Sequence, residues 1–189
     1  KLMMSPSLWL GLFTIAAVLV GAWWIRSQYV RAHRHSMRAF YSLSEDIFAA
    51  ASPAEIAEKL AAILPSITQA TSVRLYLLNR RTKSLESVAT AADPEPMAAS
   101  IENDPEGLAA GAVKCFRNHT IVNIPDVRRN PLVNSGWKAG LPRSAMFVPL
   151  LAESGSLGVL EASSTQRLGY FTAHEQATLQ HLAKQIAAS

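Results

Sequence analysis

Leu8 to Ile25 (LWLGLFTIAAVLVGAWWI) is a block of 18 residues without a charge, nine of them Leu, Ile, Val or Phe. On insertion scales those nine favour a bilayer by about 3 to 5 kcal/mol. As a helix the block rises about 27 Å, close to the thickness of a hydrocarbon core. Trp9 at one end, and Trp23 and Trp24 at the other, stand where interfacial aromatic anchors belong. Arg26, Arg31, Arg34 and Arg38 follow, with His33 and His35 between them, and only Lys1 precedes the block. The pattern predicts a short outer N-terminus over 1–7 and a transmembrane helix over 8–25. A basic juxtamembrane helix over 26–39 and a cytoplasmic domain over 40–189 follow. A buried core helix would rarely run straight into four arginines. A cleaved signal peptide would carry its charges before the apolar stretch and a small-residue site after it.

Beyond the block the period becomes helical and then alternates. Residues 27–50 lack Gly and Pro, and Phe40, Leu43, Ile47 and Ala50 recur at helical spacing. Ser52-Pro53-Ala54-Glu55 is a helix start, with an N-cap Ser, Pro in the first turn and Glu at the reciprocal capping position. Ile56, Leu60, Ile63, Leu64 and Ile67 share one face of the helix that follows, and Pro65 is expected to kink or weaken its last turn. Val73, Leu75 and Leu77 alternate with polar positions, which predicts a strand over 72–78. A polar turn over 79–84 leads to a hairpin partner over 85–90. Residues 91–106, rich in Ala, Asp, Pro and Glu, read as an irregular loop with room for a short helix. A helix over 107–118, a short strand over 120–124 and a long loop over 125–143 come next. Strands over 144–151 and 156–163 form a hairpin around Glu153-Ser154-Gly155. Thr172-Ala173-His174-Glu175 is a capping box, and Leu179, Leu182, Ala183 and Ile186 stripe the closing helix. Hairpin connections imply an antiparallel sheet with the terminal helices packed on one face.

The formal charge of +4 misleads. Residues 1–40 carry five basic and no acidic side chains, and the remaining 149 carry 13 basic and 14 acidic. The basicity is juxtamembrane, matched to topology and anionic headgroups, and no nucleic-acid footprint remains. Cys115 is the only cysteine, so an intrachain disulfide is excluded, which fits a reducing compartment. The chain opens on Lys1 rather than Met and stops after an apolar-periodic helix. It is therefore expected to be either a fragment or an anchor with one domain.

Four stretches in order resemble a GAF domain over about residues 40–189. They are Val73–Asn79 (VRLYLLN) and Gly107-Leu108-Ala109 with His119–Val127 (HTIVNIPDV), then Arg143–Gly158 (RSAMFVPLLAESGSLG) and Phe171–Ala187 with its Phe-Thr-x-x-Glu start. A PAS-like domain is the competing fold. The resemblance implies an α+β fold, a six-stranded antiparallel sheet with helices on both faces, here preceded by a single transmembrane helix. It further implies a small-molecule pocket on one side of the sheet, and a role in sensing, dimerisation or spacing rather than catalysis. The expectation is therefore no enzyme activity, no cofactor and no metal.

Cys115 and His119, four apart on a helix, could share a face, but a metal site needs further ligands. Cys115 reads better as a small buried hydrophobe. Family members that attach a tetrapyrrole would be expected to place the thiol later, in 125–143, where there is none. The cyclic-nucleotide signature Asn-Lys-Phe-Asp-Glu lacks its Asp-Glu pair after Phe171. In the resembling family the 125–143 loop lids the pocket, and Arg128, Arg129, Trp137 and Arg143 lie in it. Either they clamp an anionic, planar ligand, or the arginines are solvated and Trp137 packs beneath the lid. Asp126 is expected to tie the loop start. Met146, on the next strand, joins Asp126, Arg128, Trp137 and Arg143 in the candidate ligand set. Phosphate loops, paired-His zinc helices and nucleophile elbows are missing.

Two functions fit. One is a membrane-anchored sensory or regulatory module that binds a small ligand or dimerises to relay a signal. Ala17-x-x-x-Gly21 would let two anchors approach. The other is an accessory subunit of a larger membrane complex, whose ligand-free head contacts protein. The expected partners are the lipid bilayer and a second copy or other membrane subunits, with no nucleic acid.

Overall fold

The computed structural model describes residues 6–49, 52–133, 141–166 and 168–189. Side-chain surroundings are described for these except at 6–10, 12, 32–36, 44 and 46–49. The chain divides into two compact units, Lys1–Ala39 and Phe40–Ser189.

The first unit is one helix. α1 runs over Pro6–Ala49, and its part up to Ala39 belongs here. Its described large apolar side chains are exposed, with Trp23 at 69 % and Trp24 at 60 %. Arg26 and Arg31 are exposed as well. Among the described residues no helix is long and apolar enough to cross a membrane. Ahead of Arg26 the described large apolar side chains run from Phe13 to Ile25. That is about 20 Å of helix, against the roughly 30 Å of a hydrocarbon core. Leu8, Trp9, Leu10 and Leu12, which complete the expected span, lie outside the described side chains.

The second unit opens with the end of α1 and α2 (Pro53–Ile67). Ser52 caps α2 by accepting from the Glu55 N–H at 3.3 Å. Pro65 stands in the last turn without ending the helix, which runs to Ile67. The Leu64 carbonyl there accepts from both the Thr68 N–H (2.9 Å) and the Thr68 hydroxyl (3.0 Å). The strands are β1 (Ser72–Asn79), β2 (Ser84–Ser87), β3 (Ala98–Ser100), β4 (Val122–Ile124), β5 (Ser144–Ala152) and β6 (Gly155–Ser164). They form one sheet in the order β3-β2-β1-β6-β5-β4, every pair antiparallel. α3 (Leu108–Asn118) lies between β3 and β4 in sequence, and α4 (Ala173–Ala188) closes the chain. Both halves of the α4 capping box form: Glu175 N–H donates to Thr172 Oγ1 and Thr172 N–H to Glu175 Oε1.

Two details depart from the pattern of the sequence. β2 stops at Ser87, because Ser87 N–H turns to the Met97 carbonyl and Val88 N–H to that of Leu75. The segment 91–106 contains β3, whose Ala-Ala-Ser is too short and too small to show a period.

The sheet is covered on both faces. On one, Leu75, Met146, Val148, Leu150, Leu160 and Ala162 pack with α2, α4 and Leu43 of α1. On the other, Tyr76, Leu85, Phe147 and Val159 pack with α3 and with Val127 and Val133. β1 and β6 approach closely where Gly158 pairs with Leu77, and a Cβ at 158 would overlap the Tyr76 carbonyl oxygen.

Candidate functional site

The α3 face of the sheet is not filled by hydrophobic side chains at its β1–β6 end. Successive strand residues point to opposite faces, so Val73, Leu75 and Leu77 go to the α2–α4 core while Arg74 and Tyr76 go to the α3 side. Arg74 is paired across the strands with Glu161, and Glu161 with Phe147 on its other side. The result is a cavity of about 680 Å³. Its floor is Ser72, Arg74, Glu161 and Ser163. One wall is the segment after β2, with Thr90, Asp93 and Met97. Another is the start of α3 at Glu106, Gly107 and Leu108, and Val127, Val133, Leu141 and Pro142 lie above. Gly107 opens α3 at φ +75, a conformation that favours glycine.

A charged network crosses this floor. Arg74 Nε donates to Asp93 Oδ2 at 2.8 Å, and Nη2 lies 2.6 Å from the same oxygen. The Tyr76 hydroxyl donates to Glu161 Oε2 at 2.9 Å and accepts from Arg74 Nη1 at 3.4 Å. Arg74 Nη1 is 4.0 Å from Glu161 Oε2. The Ser72 and Ser163 hydroxyls are 2.7 Å apart. Glu161 is 2 % exposed and Tyr76 fully buried. Burial raises the Glu161 pKa above the usual carboxylate value. The Arg74 charge and the Tyr76 bond pull it back in part, and the Asp93 charge adds to the rise. Tyr76 is held far above its ordinary value, first by burial and then by the Glu161 charge. For Arg74, burial works against the charge, but Glu161, Tyr76 and Asp93 together keep the guanidinium protonated.

The residues singled out from the sequence are placed differently. Asp126 caps the single 3-10 turn Val127–Arg129 and accepts from the Arg128 N–H at 3.1 Å. Its carboxylate also takes Arg128 Nε at 3.2 Å and lies 3.8 Å from Arg129 Nε. The Arg128 bond is the first cause of its lowered pKa. The Arg143 carbonyl accepts from Val127 N–H at 2.9 Å, and its own N–H donates to the Ser164 carbonyl at 2.7 Å. The structure thus brings Asp126, Arg128 and Arg143 together at the two ends of the loop, none of them lining the cavity. Trp137 lies outside the described residues. Met146 is buried in the core on the opposite face of the sheet.

Cys115 is fully buried, and its thiol is pushed up to about 12 by burial. It is a packed side chain, unavailable as a thiolate. His119 ends α3 in the left-handed conformation. Among the described residues no group of His, Cys, Asp and Glu is placed to hold a metal ion.

A six-stranded antiparallel sheet between two helical layers, with a cavity of charged floor and largely apolar walls on one face, defines a small α+β module. The family model for the GAF domain matches residues 52–189, and the chain belongs to the GAF domain family. No curated protein matches the chain. Among solved structures, it is similar to the GAF domain of the Acinetobacter phosphoenolpyruvate-protein phosphotransferase. The two are 14 % identical, with a TM-score of 0.65 over 82 % of this chain and 91 % of that one. It is similar to the free methionine-R-sulfoxide reductase of Neisseria meningitidis, solved with its substrate (19 % identity, TM-score 0.64, 81 % and 86 % covered). A methyl-accepting chemotaxis protein fragment is also similar (19 %, 0.60, 77 % and 93 %). At such identities the likeness is one of fold.

The reductases overturn one expectation. The expectation of no enzyme activity rests on the GAF fold, yet the Neisseria reductase is an enzyme on this fold. The GAF fold therefore does not by itself decide between catalysis and recognition.

Proposed function

We propose that this chain is a sensory or regulatory module whose GAF head binds a small ligand in the cavity between β1, β6 and α3. The observation that carries this reading is the buried Arg74–Tyr76–Glu161 network opening on a space of about 680 Å³. That volume lies within the usual range for small-molecule sites. Buried ionisable groups facing a cleft are also where function concentrates. The head dimerises or docks on other membrane subunits to relay occupancy. A screen of cyclic nucleotides, nucleotides, amino acids, amines and tetrapyrroles against the full chain tests the reading. A bound ligand raises Tm because it favours the native state, and Glu161→Ala abolishes that rise. A flat screen argues for the accessory-subunit alternative.

The anchoring belongs to the same proposal. α1 crosses the membrane over residues 8–25, with the head on the cytoplasmic side. Supporting this are the outward apolar side chains from Phe13 to Ile25 and the exposed Arg26 and Arg31 beyond them. The buried Cys115 does not react, so the native thiol need not be removed. Lys1→Cys labels from outside with an impermeant maleimide in intact cells, and Glu153→Cys, on the exposed β5–β6 hairpin, labels only after lysis. The reverse pattern overturns the topology, and recovery of the full chain in the soluble fraction overturns the anchor.

A further inference from the structure

We infer that the ligand of this cavity carries a positively charged amine, and that Glu161 on the floor, with Glu106 at the mouth, is its counter-ion. This rests on the reading that the head binds a ligand, and it names the chemistry.

The charges are the first argument. Among the described residues lining the cavity there is one cation, Arg74, against three carboxyls, Asp93, Glu106 and Glu161. That cation is already engaged. Two of its nitrogens are on Asp93 Oδ2, and the third faces Tyr76 and Glu161. An anionic ligand would have to displace Asp93 and then sit against two further carboxyls. The arginines that looked suited to an anion, Arg128 and Arg143, do not line the cavity, and Arg128 is engaged by Asp126.

The second argument is the unmet capacity of Glu161. A carboxylate accepts at about four positions. Among the described residues Glu161 has one hydrogen bond, from the Tyr76 hydroxyl, and a guanidinium only at 4.0 Å. A buried carboxylate so thinly served is costly when ionised. Burial raises its pKa, and the Arg74 charge and the Tyr76 bond offset that rise only in part. An ammonium group offers three donors and a charge, and it meets both needs at one point. Glu106 is exposed at the rim, where it would attract a cation. Met97, Leu108, Val133 and Leu141 supply walls for the hydrocarbon body of an amine.

Binding should depend on pH through Glu161. The groups facing it are Arg74 and Tyr76 from β1, Asp93 from the wall segment and Glu106 from the start of α3. Where Glu161 is protonated, an ammonium ligand must expel that proton, so affinity rises with pH until the carboxyl is fully ionised.

The experiment titrates the full chain, in detergent, with hexylamine, agmatine and tyramine, and with hexanol and hexanoate as neutral and anionic controls. At least one amine is expected to bind and raise Tm, whereas hexanol and hexanoate do neither. Glu161→Gln keeps the side-chain shape and an acceptor for Tyr76. It is expected to weaken the amine at least tenfold at neutral pH and to flatten the pH dependence. Glu106→Gln, at an exposed position that leaves the core intact, is expected to weaken it two- to fivefold. Failure of all three amines overturns the inference, as does amine binding that Glu161→Gln leaves unchanged. Binding of hexanoate, or of nucleotides or tetrapyrroles from the wider screen, with the amines silent would sink the amine and leave the ligand-binding reading standing. Silence across both panels sinks both.

Discussion

Tyr76→Phe removes one oxygen from the centre of the buried network, and its effect should depend on pH in a direction the structure dictates. The hydroxyl donates to Glu161 Oε2 at 2.9 Å and is one of the forces that hold the Glu161 pKa down. The folded-state pKa of Glu161 is nonetheless raised. Its protonated form therefore favours the fold. That contribution is fully present below the unfolded carboxyl pKa, about 4.3, and is lost as pH rises through the folded value. Deleting the hydroxyl raises the folded value further and widens the loss. Above the folded pKa of Glu161 the bond removed is one to an ionised acceptor, worth about 1.5–3 kcal/mol, and below it a neutral one, worth about 0.5–1.5 kcal/mol. For the 150 residues of Phe40–Ser189, each kcal/mol moves Tm by about 2–4 °C. The variant should therefore melt about 3–12 °C lower on the alkaline side of that pKa, and roughly half that on the acid side. Urea melts of wild type and variant at several pH values measure the difference. A destabilisation that is flat with pH, or larger in acid, would refute the claim that Tyr76 supports a buried ionisable carboxyl.

Gly158→Ala should destabilise the head by about 1–3 kcal/mol or more, because the new Cβ meets backbone of β1 that cannot rotate away; an unchanged urea midpoint would contradict the close approach. Glu175→Ala should cost about 1–3 kcal/mol, since one oxygen takes the Thr172 N–H (3.0 Å) and the other the Gln69 N–H (2.8 Å) that ties α4 to the end of α2; thermal melts check it, and a loss below about 0.5 kcal/mol counts against the tie. Cys115 should react with Ellman's reagent only after unfolding, as a fully buried thiol pushed up to about 12 requires; rapid stoichiometric reaction of the native protein would show the packing to be wrong.

Much of the fold was legible because period and capping agree along the chain. Val73, Leu75 and Leu77 announce β1, Ser52-Pro53 starts α2, and Thr172 with Glu175 starts α4. β3 was illegible because Ala98-Ala99-Ser100 has no amphipathic contrast, and its place is set by pairing with β2. The site was hidden for a different reason. Arg74 and Glu161 occupy the polar phase of alternating strands, and in a sheet with one bare face that phase means solvent. Here α3 covers the second face, so the same positions are driven inward and must neutralise one another. The available signal was the combination: charges on the polar phase of two central strands, in a sheet with helices on both faces. Arg128 and Arg129 stand out in the sequence as a cluster, but Asp126 pairs with Arg128, and Arg129 is largely exposed to solvent.

The network also bears on how occupancy could reach the helices. Leu160 and Ala162, flanking Glu161 on β6, pack on the other face with α2, α4 and the end of α1. Contiguity alone is not coupling; a relay needs an element with two arrangements that the ligand distinguishes. The segment between β2 and β3 is the best-placed element. Through Asp93 it holds Arg74 over the cavity, and the N–H of Ala91, two residues earlier, donates to Glu58 Oε1 of α2 at 2.6 Å. A cation that competes with Arg74 for Asp93 acts on one end of a short segment whose other contact is a helix of the opposite layer. Glu161 is a buried carboxyl, costly to ionise, and interacts with Asp93 of that segment. A stability-optimised core would replace it with an apolar side chain. The presence of a carboxyl at this buried position is accounted for if its charge is used when a cation fills the cavity.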